Sequence, residues 1–226
     1  MKKLHVDSIT KSYDNKVLLS DIFISCEIGE IKGLLGRNGC GKSTLLKIIF
    51  GIENSDSKFV RIGDKVIQNV SHGRGLLNYL PQENFLPNDV RVKSLITLFL
   101  SKENRNIVLE NFYVKPLWNK KVKHLSGGEK RIIEILLVIH SQAKYLLLDE
   151  PFNGVSPLMV DYIIAYIKKM KIDKGIIITD HDYENVIKVS DTVSFLKDGY
   201  LKELKDNKQL VELGYLTTAT YNAVFT

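Results

Sequence analysis

The sequence has little cysteine and no long hydrophobic run. Its 226 residues include two cysteines, Cys26 and Cys40, which do not form a CxxC pair. Two cysteines at this spacing argue against a zinc site and against a disulfide framework. No apolar run approaches the ~18–20 residues that a membrane-spanning helix needs. The first seven residues also have no apolar core for a signal peptide. We therefore expect a chain that stays in the cytosol.

The overall amino-acid composition excludes few classes of function. A hydrophobic share of 44% and a charged share of 26% are ordinary for a globular protein, and the length suits one domain with a small inserted subdomain. The net charge of +6 would suit nucleic acid or an anionic membrane surface. The lysines are, however, spread along the chain, and no ladder of aromatic and basic residues for stacking bases accompanies them. We therefore favour a solvated lysine-rich face and expect no nucleic-acid partner.

A glycine-rich segment with a terminal Lys-Ser is the strongest motif. It matches G-x-x-x-x-G-K-S, the phosphate-binding loop. The apolar run 31–35 before it suits a buried strand, and the pattern after it predicts an amphipathic helix from Thr44 to Phe50. This strand-loop-helix context supports the motif, which consists of Gly36, Arg37, Asn38, Gly39, Cys40, Gly41, Lys42 and Ser43.

The chemistry of the loop follows from its residue types. Glycine lets the backbone turn and approach a phosphate closely, and the loop's N–H groups form an anion-binding nest. The following helix adds its unpaired N–H groups and the positive end of its dipole. Lys42 would reach the β- and γ-phosphates, and the Ser43 hydroxyl would ligate Mg²⁺. The loop therefore predicts that the chain binds a nucleoside triphosphate.

Two predicted strands end in groups suited to hydrolysis. The apolar run 145–148 leads directly into Asp149 and Glu150, and the run 175–179 is followed two residues later by His181. Parallel sheets bind ligands at the carboxyl edge of their strands. We expect Asp149 to hold Mg²⁺, Glu150 to take a proton from water, and His181 to hydrogen-bond a γ-phosphate. A surface or helix-capping role is the alternative for His181.

Position in the sequence alone leaves the roles of two residues and one short segment open. Gln82 follows the predicted strand 77–80 and suits either the site or a solvated surface. Tyr13 lies in a predicted turn with Asp14 and Asn15, where an ordinary surface tyrosine is favoured over a base-stacking one. The segment Ser126-Gly127-Gly128-Glu129 begins a helix predicted over 130–141. It has the spacing of a capping box, although a glycine-rich helix start can also hold a phosphate.

The remaining segments outline the rest of the fold. Alternation predicts strands over 2–10 and 22–28, followed by short strands within 58–68. Helices are predicted over 92–100, 106–112 and 157–171, and Asp198-Gly199 marks a hairpin. The stretch 85–124 resembles a small helical insertion. Its Trp118 suits a partner surface or the insertion's own core equally well.

In this order the motifs resemble the nucleotide-binding subunits of ATP-binding cassette (ABC) transporters. The resemblance covers residues 3 to 205, and its most specific part is the signature Leu125-Ser126-Gly127-Gly128-Glu129. It implies an α/β fold: a P-loop NTPase (RecA-like) core with an antiparallel β subdomain and an inserted helical subdomain. It also implies a single ABC ATPase domain over 1–226, with the core and β subdomain in 1–84 and 125–226 and the helical subdomain in 85–124.

The resemblance also implies roles for individual residues, with ATP and Mg²⁺ as cofactors. Tyr13 takes the position of the aromatic that stacks on adenine, and residues 36–44 bind the phosphates. The catalytic group would comprise Glu150, His181 and Gln82, and the metal ligands Ser43, Gln82 and Asp149. The signature residues that would contact the ATP of a second subunit are Ser126, Gly127, Gly128 and Glu129.

The implied partners are a second copy or paralogue, paired head to tail, and integral membrane permease subunits. The resemblance places the chain at the cytoplasmic face of the membrane. The segments 129–131 and 149–157 look most like the branch that serves branched-chain amino-acid uptake and lipopolysaccharide export. One departure is Ser156, which stands where the family usually has an aspartate before the proline. A soluble ABC-type ATPase and a nucleotide-gated interaction module remain as alternative functions.

Overall fold

The computed structural model describes residues 3–14 and 16–225, which form two sheets with helices packed against them. The turn predicted at Asp14-Asn15 falls partly outside this range, since Asn15 is not among the described residues. The strands are β1 Leu4–Tyr13, β2 Lys16–Cys26, β3 Ile31–Leu35, β4 Ser57–Ile62, β5 Lys65–Val66, β6 Leu77–Leu80, β7 Tyr145–Asp149, β8 Gly175–Thr179, β9 Thr192–Lys197 and β10 Tyr200–Glu203.

Nine α-helices are described alongside these strands. They are α1 Lys42–Phe50, α2 Val70–Gly73, α3 Val92–Phe99, α4 Lys102–Leu109, α5 Gly127–Ile139, α6 Pro157–Met170, α7 Tyr183–Val189, α8 Gln209–Glu212 and α9 Thr218–Phe225. Short 3₁₀ turns lie at Lys115–Leu117, Val122–His124 and Lys171–Asp173. Within the described part of the chain, no helix is long and apolar enough to cross a bilayer.

The six-stranded sheet places the functional segments. Its order is β10-β9-β3-β8-β7-β6, and all neighbours are parallel except the hairpin of β9 and β10. Every residue of β3, β7 and β8 is buried, as expected for parallel strands covered on both faces. The carboxyl ends of β3, β6, β7 and β8 therefore meet at one edge of the sheet.

Two hydrophobic clusters pack on opposite faces of this sheet. Leu146 and Ile176 belong to a cluster with residues of α3, α5 and α6. Leu147 and Ile177, the next residues along, belong to a cluster with α1 and the antiparallel sheet β2-β1-β4-β5. Successive side chains of a strand point to opposite faces, so the apolar runs of β7 and β8 hold the two layers together.

Most predicted elements appear in the structure, with several corrected boundaries. The helix predicted over 106–112 lies too far along the chain. The observed helix, α4, spans Lys102–Leu109 and begins after Ser101, whose side chain accepts a hydrogen bond from the Asn104 backbone N–H at 3.4 Å. The strand predicted over 22–28 differs at both ends: β2 begins at Lys16 and ends at Cys26, and it pairs with β1 along most of its length. The helix α7 and the tail helix α9 were not predicted, because both are short and lack a strong apolar period.

The stretch 85–124 holds α3, α4 and two 3₁₀ turns. Trp118 packs against the cluster of α3, α5 and α6, and its indole N–H donates to the Leu109 carbonyl at 2.7 Å. Of its two predicted roles, the structure therefore supports a place in the interior packing of this stretch.

Candidate nucleotide-binding site

The predicted phosphate loop lies between β3 and α1 at the carboxyl edge of the six-stranded sheet. Gly36 is closely surrounded, because a Cβ there would come within 2.6 Å of both Cys40 Sγ and the Leu196 carbonyl. Gly41 is the residue before α1 and has a left-handed backbone with φ of 109°. No side chain caps this helix start, so its first N–H groups are available to an anion.

Lys42 is the first residue of α1 and is almost fully buried. Its ammonium group donates to the carbonyls of Gly36 at 2.7 Å and Arg37 at 3.2 Å. The loop's own backbone therefore holds the lysine across the concave side of the loop. A triphosphate in the loop would give this charge a stronger, charge-assisted partner.

Asp149 ends β7 and has no exposed surface. Ser43 Oγ donates to its Oδ1 at 3.0 Å, and Tyr79 Oη donates to its Oδ2 at 2.8 Å. Burial raises the pKa of Asp149, and the two hydrogen bonds act against that rise. Ser43 and Asp149 thus present a hydroxyl and a carboxylate side by side, which are oxygen donors of the kind that Mg²⁺ prefers.

Glu150 has an unusual backbone for a residue with a side chain. Its φ of 49° is left-handed, a conformation that costs free energy and persists only where the surroundings impose it. Here the Glu150 N–H donates to the Thr179 carbonyl at 2.7 Å, and its own carbonyl accepts from Arg131 at 2.8 Å. These bonds fix the backbone at Glu150, and its side chain lines the adjoining cavity.

That cavity has a volume of about 380 Å³ and gathers most of the predicted phosphate and catalytic groups. Gln82 Nε2 donates to Glu150 Oε2 at 2.9 Å, and His181 Nδ1 lies 3.9 Å from the same oxygen. The lining residues are Leu18, Asn38, Gly39, Gly41, Lys42, Ser43, Thr44, Gln82, Glu150 and His181.

His181 is positioned by the acid that precedes it. Asp180 is buried and accepts hydrogen bonds from the backbone N–H groups of Phe152 at 3.0 Å and Asp182 at 3.1 Å. Its Oδ1 lies 3.0 Å from His181 Nδ1. Burial raises the pKa of Asp180, and the backbone hydrogen bonds oppose this. A donor at Nδ1 facing this carboxylate would direct Nε2 of the imidazole outward.

A buried arginine that the sequence analysis did not single out joins these loops. The Arg131 guanidinium donates to the carbonyls of Asp149 at 2.7 Å, Glu150 at 2.8 Å and Pro81 at 2.8 Å. It also pairs with the buried Glu134 at 3.3 Å. Glu134 in turn accepts from the Phe85 N–H at 2.9 Å. Helix α5 thus holds both ends of the loop that carries Gln82.

Three predicted nucleotide-binding side chains are not among those that line the cavity. Tyr13 is half exposed and donates to Glu53 at 3.1 Å, and the Lys11 ammonium lies 4.4 Å from its ring centroid. Arg37 donates to the Gly214 carbonyl at 3.0 Å, which ties the loop to the C-terminal segment. Cys40 is a half-buried free thiol whose pKa is raised by burial.

The signature residues also lie apart from this cavity. Ser126 caps α5 by accepting from the Glu129 N–H at 3.2 Å, and the Glu129 carboxylate accepts from the Ser126 N–H at 2.7 Å. The predicted capping box is confirmed, and that hydrogen bond from the Ser126 N–H lowers the pKa of Glu129. None of the residues that line the cavity in the described chain belongs to the signature segment.

Sequence reasoning missed Tyr79 and Arg131, and both join segments far apart in the chain. The signal for Tyr79 was its place on the strand that precedes Gln82, next to the strand that ends in Asp149. The signal for Arg131 was a charge directly before the apolar part of α5, three residues before another charge, Glu134. Leu18, which lines the cavity from β2, carried no distinctive signal.

Comparisons with known proteins find similarity to ATP-binding proteins of transport systems. A family model described as "ABC transporter" matches residues 19–153. The lipopolysaccharide export system ATP-binding protein LptB of Escherichia coli (strain K12) is 32% identical over 215 residues, which is 89% of each chain. The spermidine/putrescine import ATP-binding protein PotA of Mycoplasma mycoides is 29% identical over 212 residues, covering 89% of this chain and 60% of that protein.

Solved structures share the fold. An ATP-binding subunit of an ABC transporter superposes with a TM-score of 0.82 at 21% identity, covering 98% of this chain and 97% of that one. A nucleotide-free ATP-binding cassette gives a TM-score of 0.80 at 21% identity, covering 96% of each chain. The predicted α/β class with a P-loop NTPase core is therefore confirmed.

Proposed function

The chain belongs to the ABC transporter family, and we propose that its nucleotide site works with Mg²⁺ at the interface of two subunits paired head to tail. It is an ATP-binding and ATP-hydrolysing subunit of such a transporter. The observation that carries the proposal is the meeting of Lys42, Glu150, Gln82 and His181 around one cavity.

Each side chain has a role that its geometry supports. Lys42 and the N–H groups of residues 36–44 hold the β- and γ-phosphates. Glu150 takes a proton from the attacking water. Gln82, whose Nε2 donates to Glu150 Oε2 at 2.9 Å, orients that water. His181 hydrogen-bonds the γ-phosphate, and Tyr13 stacks on adenine. Ser43, Asp149 and Gln82 would hold Mg²⁺, which neutralises charge on the phosphates.

A second subunit would complete the site. The signature segment 126–129 lies at the start of α5. Its Gly127 leaves the backbone open, because a Cβ there would meet nothing within 4 Å, whereas a Cβ on Gly128 would lie 3.4 Å from the Gly154 carbonyl oxygen. A helix start that is open and rich in glycine suits a phosphate, and none of the described residues that line the nucleotide cavity belongs to this segment. We therefore assign this segment, Ser126, Gly127, Gly128 and Glu129, to the ATP bound by the partner.

The surface for a membrane permease is an apolar groove of about 1000 Å³ between α1, β6 and α5. Phe85 and Phe99 line it and are 40% and 55% exposed. Exposed apolar patches of this kind mark sites of protein–protein interaction. The groove also borders Pro81, next to Gln82. We propose that a permease segment docks here, at the cytoplasmic face of the membrane.

The division of the chain follows the same proposal. Residues 1–84 and 125–226 form the core with the β subdomain, and residues 85–124 form a helical subdomain. Its helices α3 and α4 contact α5 through the cluster that holds Val92, Leu95 and Ile96.

The test combines a trapped nucleotide state with a groove variant. The Glu150→Gln chain is tagged, loaded with ATP and used to capture partners from detergent-solubilised membranes. A multi-span membrane protein recovered in stoichiometric amount supports the permease proposal, provided that adding Phe85→Asp abolishes recovery. Phe112→Asp is the matched control, because Phe112 is 80% exposed but lies outside the groove.

Other outcomes favour other functions. Recovery of soluble partners only, or ATPase activity stimulated by nucleic acid, would favour a soluble ABC-type ATPase. ATP binding with no hydrolysis in the native chain would favour a nucleotide-gated interaction module. The left-handed Glu150, held by the Thr179 and Arg131 bonds, argues against that module, because such strain is stored at functional sites.

A further inference from the structure

Tyr79 is a buried side chain that lies between the apolar groove and the nucleotide site. It lies on β6, three residues before Gln82, and pairs in register with Leu147 of β7. Its ring packs against Phe50 at the end of α1, with 5.5 Å between ring centroids. Both rings line the apolar groove that we assign to a membrane permease. One face of this tyrosine therefore belongs to the groove.

The other end of the same side chain belongs to the nucleotide site. Tyr79 Oη donates to Asp149 Oδ2 at 2.8 Å, in a buried contact between residues 70 positions apart. Ser43 Oγ occupies the other carboxylate oxygen at 3.0 Å. An ionised carboxylate has no proton to donate, so the phenol is the donor of this hydrogen bond. Burial and the nearby charge of Asp149 raise the pKa of Tyr79, which keeps the phenol protonated.

The two hydrogen bonds define the orientation of the Asp149 carboxylate. With Oδ2 held by Tyr79, Oδ1 is turned toward Ser43 at the base of the phosphate loop. The carboxylate torsion is otherwise broad, since terminal sp³–sp² torsions have no sharp wells. A partner of this kind, bonded to a metal ligand rather than to the metal, commonly sets the ligand's direction and basicity.

We propose that Tyr79 is a positioning residue for the Asp149 carboxylate and that it links this metal ligand to the apolar groove. The inference rests on the proposed role of Asp149 in holding Mg²⁺. A segment that enters the groove and shifts the Tyr79 ring would turn Oδ1 relative to Ser43. The groove would then act on the nucleotide site by a route separate from Gln82.

The test uses Tyr79→Phe, which removes the hydroxyl and keeps the ring against Phe50. ATP affinity is measured calorimetrically on the full chain, first in EDTA and then across a Mg²⁺ titration. We expect unchanged affinity in EDTA and a Mg²⁺ concentration for half-maximal enhancement that rises by about 10-fold or more. Tyr166→Phe is the matched control, because its hydroxyl contacts His140 at 2.6 Å, outside the site.

Two further variants separate the possible failures. Asp149→Asn should raise the Mg²⁺ requirement at least as strongly as Tyr79→Phe. If Asp149→Asn has no effect, the proposed metal site and the role of Tyr79 both fall. If Asp149→Asn acts and Tyr79→Phe matches the native chain, only the Tyr79 inference is overturned.

The link to the groove has its own variant, Phe50→Leu, which changes the support of the Tyr79 ring and leaves its hydroxyl in place. We expect a smaller rise in the Mg²⁺ requirement in the same direction. A native titration curve for Phe50→Leu would overturn the link to the groove.

Discussion

The phosphate loop and the signature segment are both glycine-rich helix starts, and they differ in what satisfies their polar groups. The start of α1 has Gly41 before it and no side-chain cap. The start of α5 has a complete capping box from Ser126 and Glu129. The free backbone N–H groups of an uncapped helix start can bind an anion directly. In a capped start one of these N–H groups is already hydrogen-bonded to a side chain, which an anion would have to displace.

The contrast in capping accompanies a contrast in position, since the uncapped helix start lines the cavity and the capped one does not. Engaging Ser126 with a phosphate means giving up a capping bond worth ~1 kcal/mol. A charged phosphate returns more than that, because hydrogen bonds to ionised groups contribute about 1.5–3 kcal/mol. In the proposed head-to-tail pair, the signature would therefore gain from the partner's nucleotide, whereas the phosphate loop would gain from nucleotide without a partner.

The largest effect is expected from Glu150→Gln, which tests the assembled cavity. Loss of the base should lower ATP hydrolysis by ~10²–10⁴-fold, while ATP binding stays intact because Lys42 and the loop are unchanged. Steady-state phosphate release and equilibrium ATP binding measure the two parts. Glu103→Gln, on the exposed start of α4, serves as the control. Native hydrolysis by Glu150→Gln would show that another group is the base.

The second effect concerns the far end of the signature helix. His140 follows α5, and burial, with the charge of Lys174, lowers its pKa to about 4. An unfolded histidine titrates near 6.5. Since the folded pKa is lower, the unfolded chain binds more protons between about pH 6.5 and 4. The free energy of unfolding should therefore fall as the pH is lowered through this window. Above about pH 6.5 the stabilising contribution of neutral His140 is complete.

At pH 5 the free energy of unfolding should be lower than at pH 7.5 by about 2 kcal/mol because of His140. Urea unfolding at the two pH values measures it, and His140→Gln supplies the comparison. The variant should lose less stability on acidification than the native chain does. Equal losses in both would mean that other groups cause the acid sensitivity.

The third effect comes from Gly127→Ala, which tests the signature segment. A Cβ at Gly127 would meet nothing within 4 Å in a single chain, so folding and ATP binding should be unchanged. In a head-to-tail pair the methyl group would face the partner's nucleotide, and hydrolysis should fall by roughly 10- to 100-fold. Native hydrolysis at high protein concentration would argue against a role for this segment at the second site.

The smallest effect compares two serines that begin helices. Ser126 caps α5, whereas Ser156 precedes α6 without a side-chain capping bond. Ser126→Ala should lower the free energy of unfolding by ~1 kcal/mol, and Ser156→Ala should leave it nearly unchanged. Ser156→Asp should raise it by about 0.5 kcal/mol, because a negative charge favours a helix N-terminus. Chemical denaturation measures all three, and equal losses for the two alanine variants would contradict the assignment.

Much of the cavity could be predicted because its motifs depend on short spacings. The phosphate loop spans eight residues between a strand and a helix, and the acid pair directly follows an apolar run. The capping box at Ser126 and Glu129 was likewise predicted from a three-residue spacing and is confirmed. The start of α4 was not predicted, because Ser101 and its Asn104 bond carried a weaker signal than the apolar residues further on.

The sequence alone determined the loop, the acid pair, the signature and most of the strands and longer helices, because each depends on neighbours within a few residues. Only the tertiary structure decided that Tyr79 reaches Asp149, that Arg131 joins Asp149 and Glu150 to Pro81, and that an apolar groove runs beside them. These contacts join residues from 18 to 70 positions apart. Their partners are chosen by how the strands pair and how α5 packs on the sheet, and no local pattern in the chain records that choice.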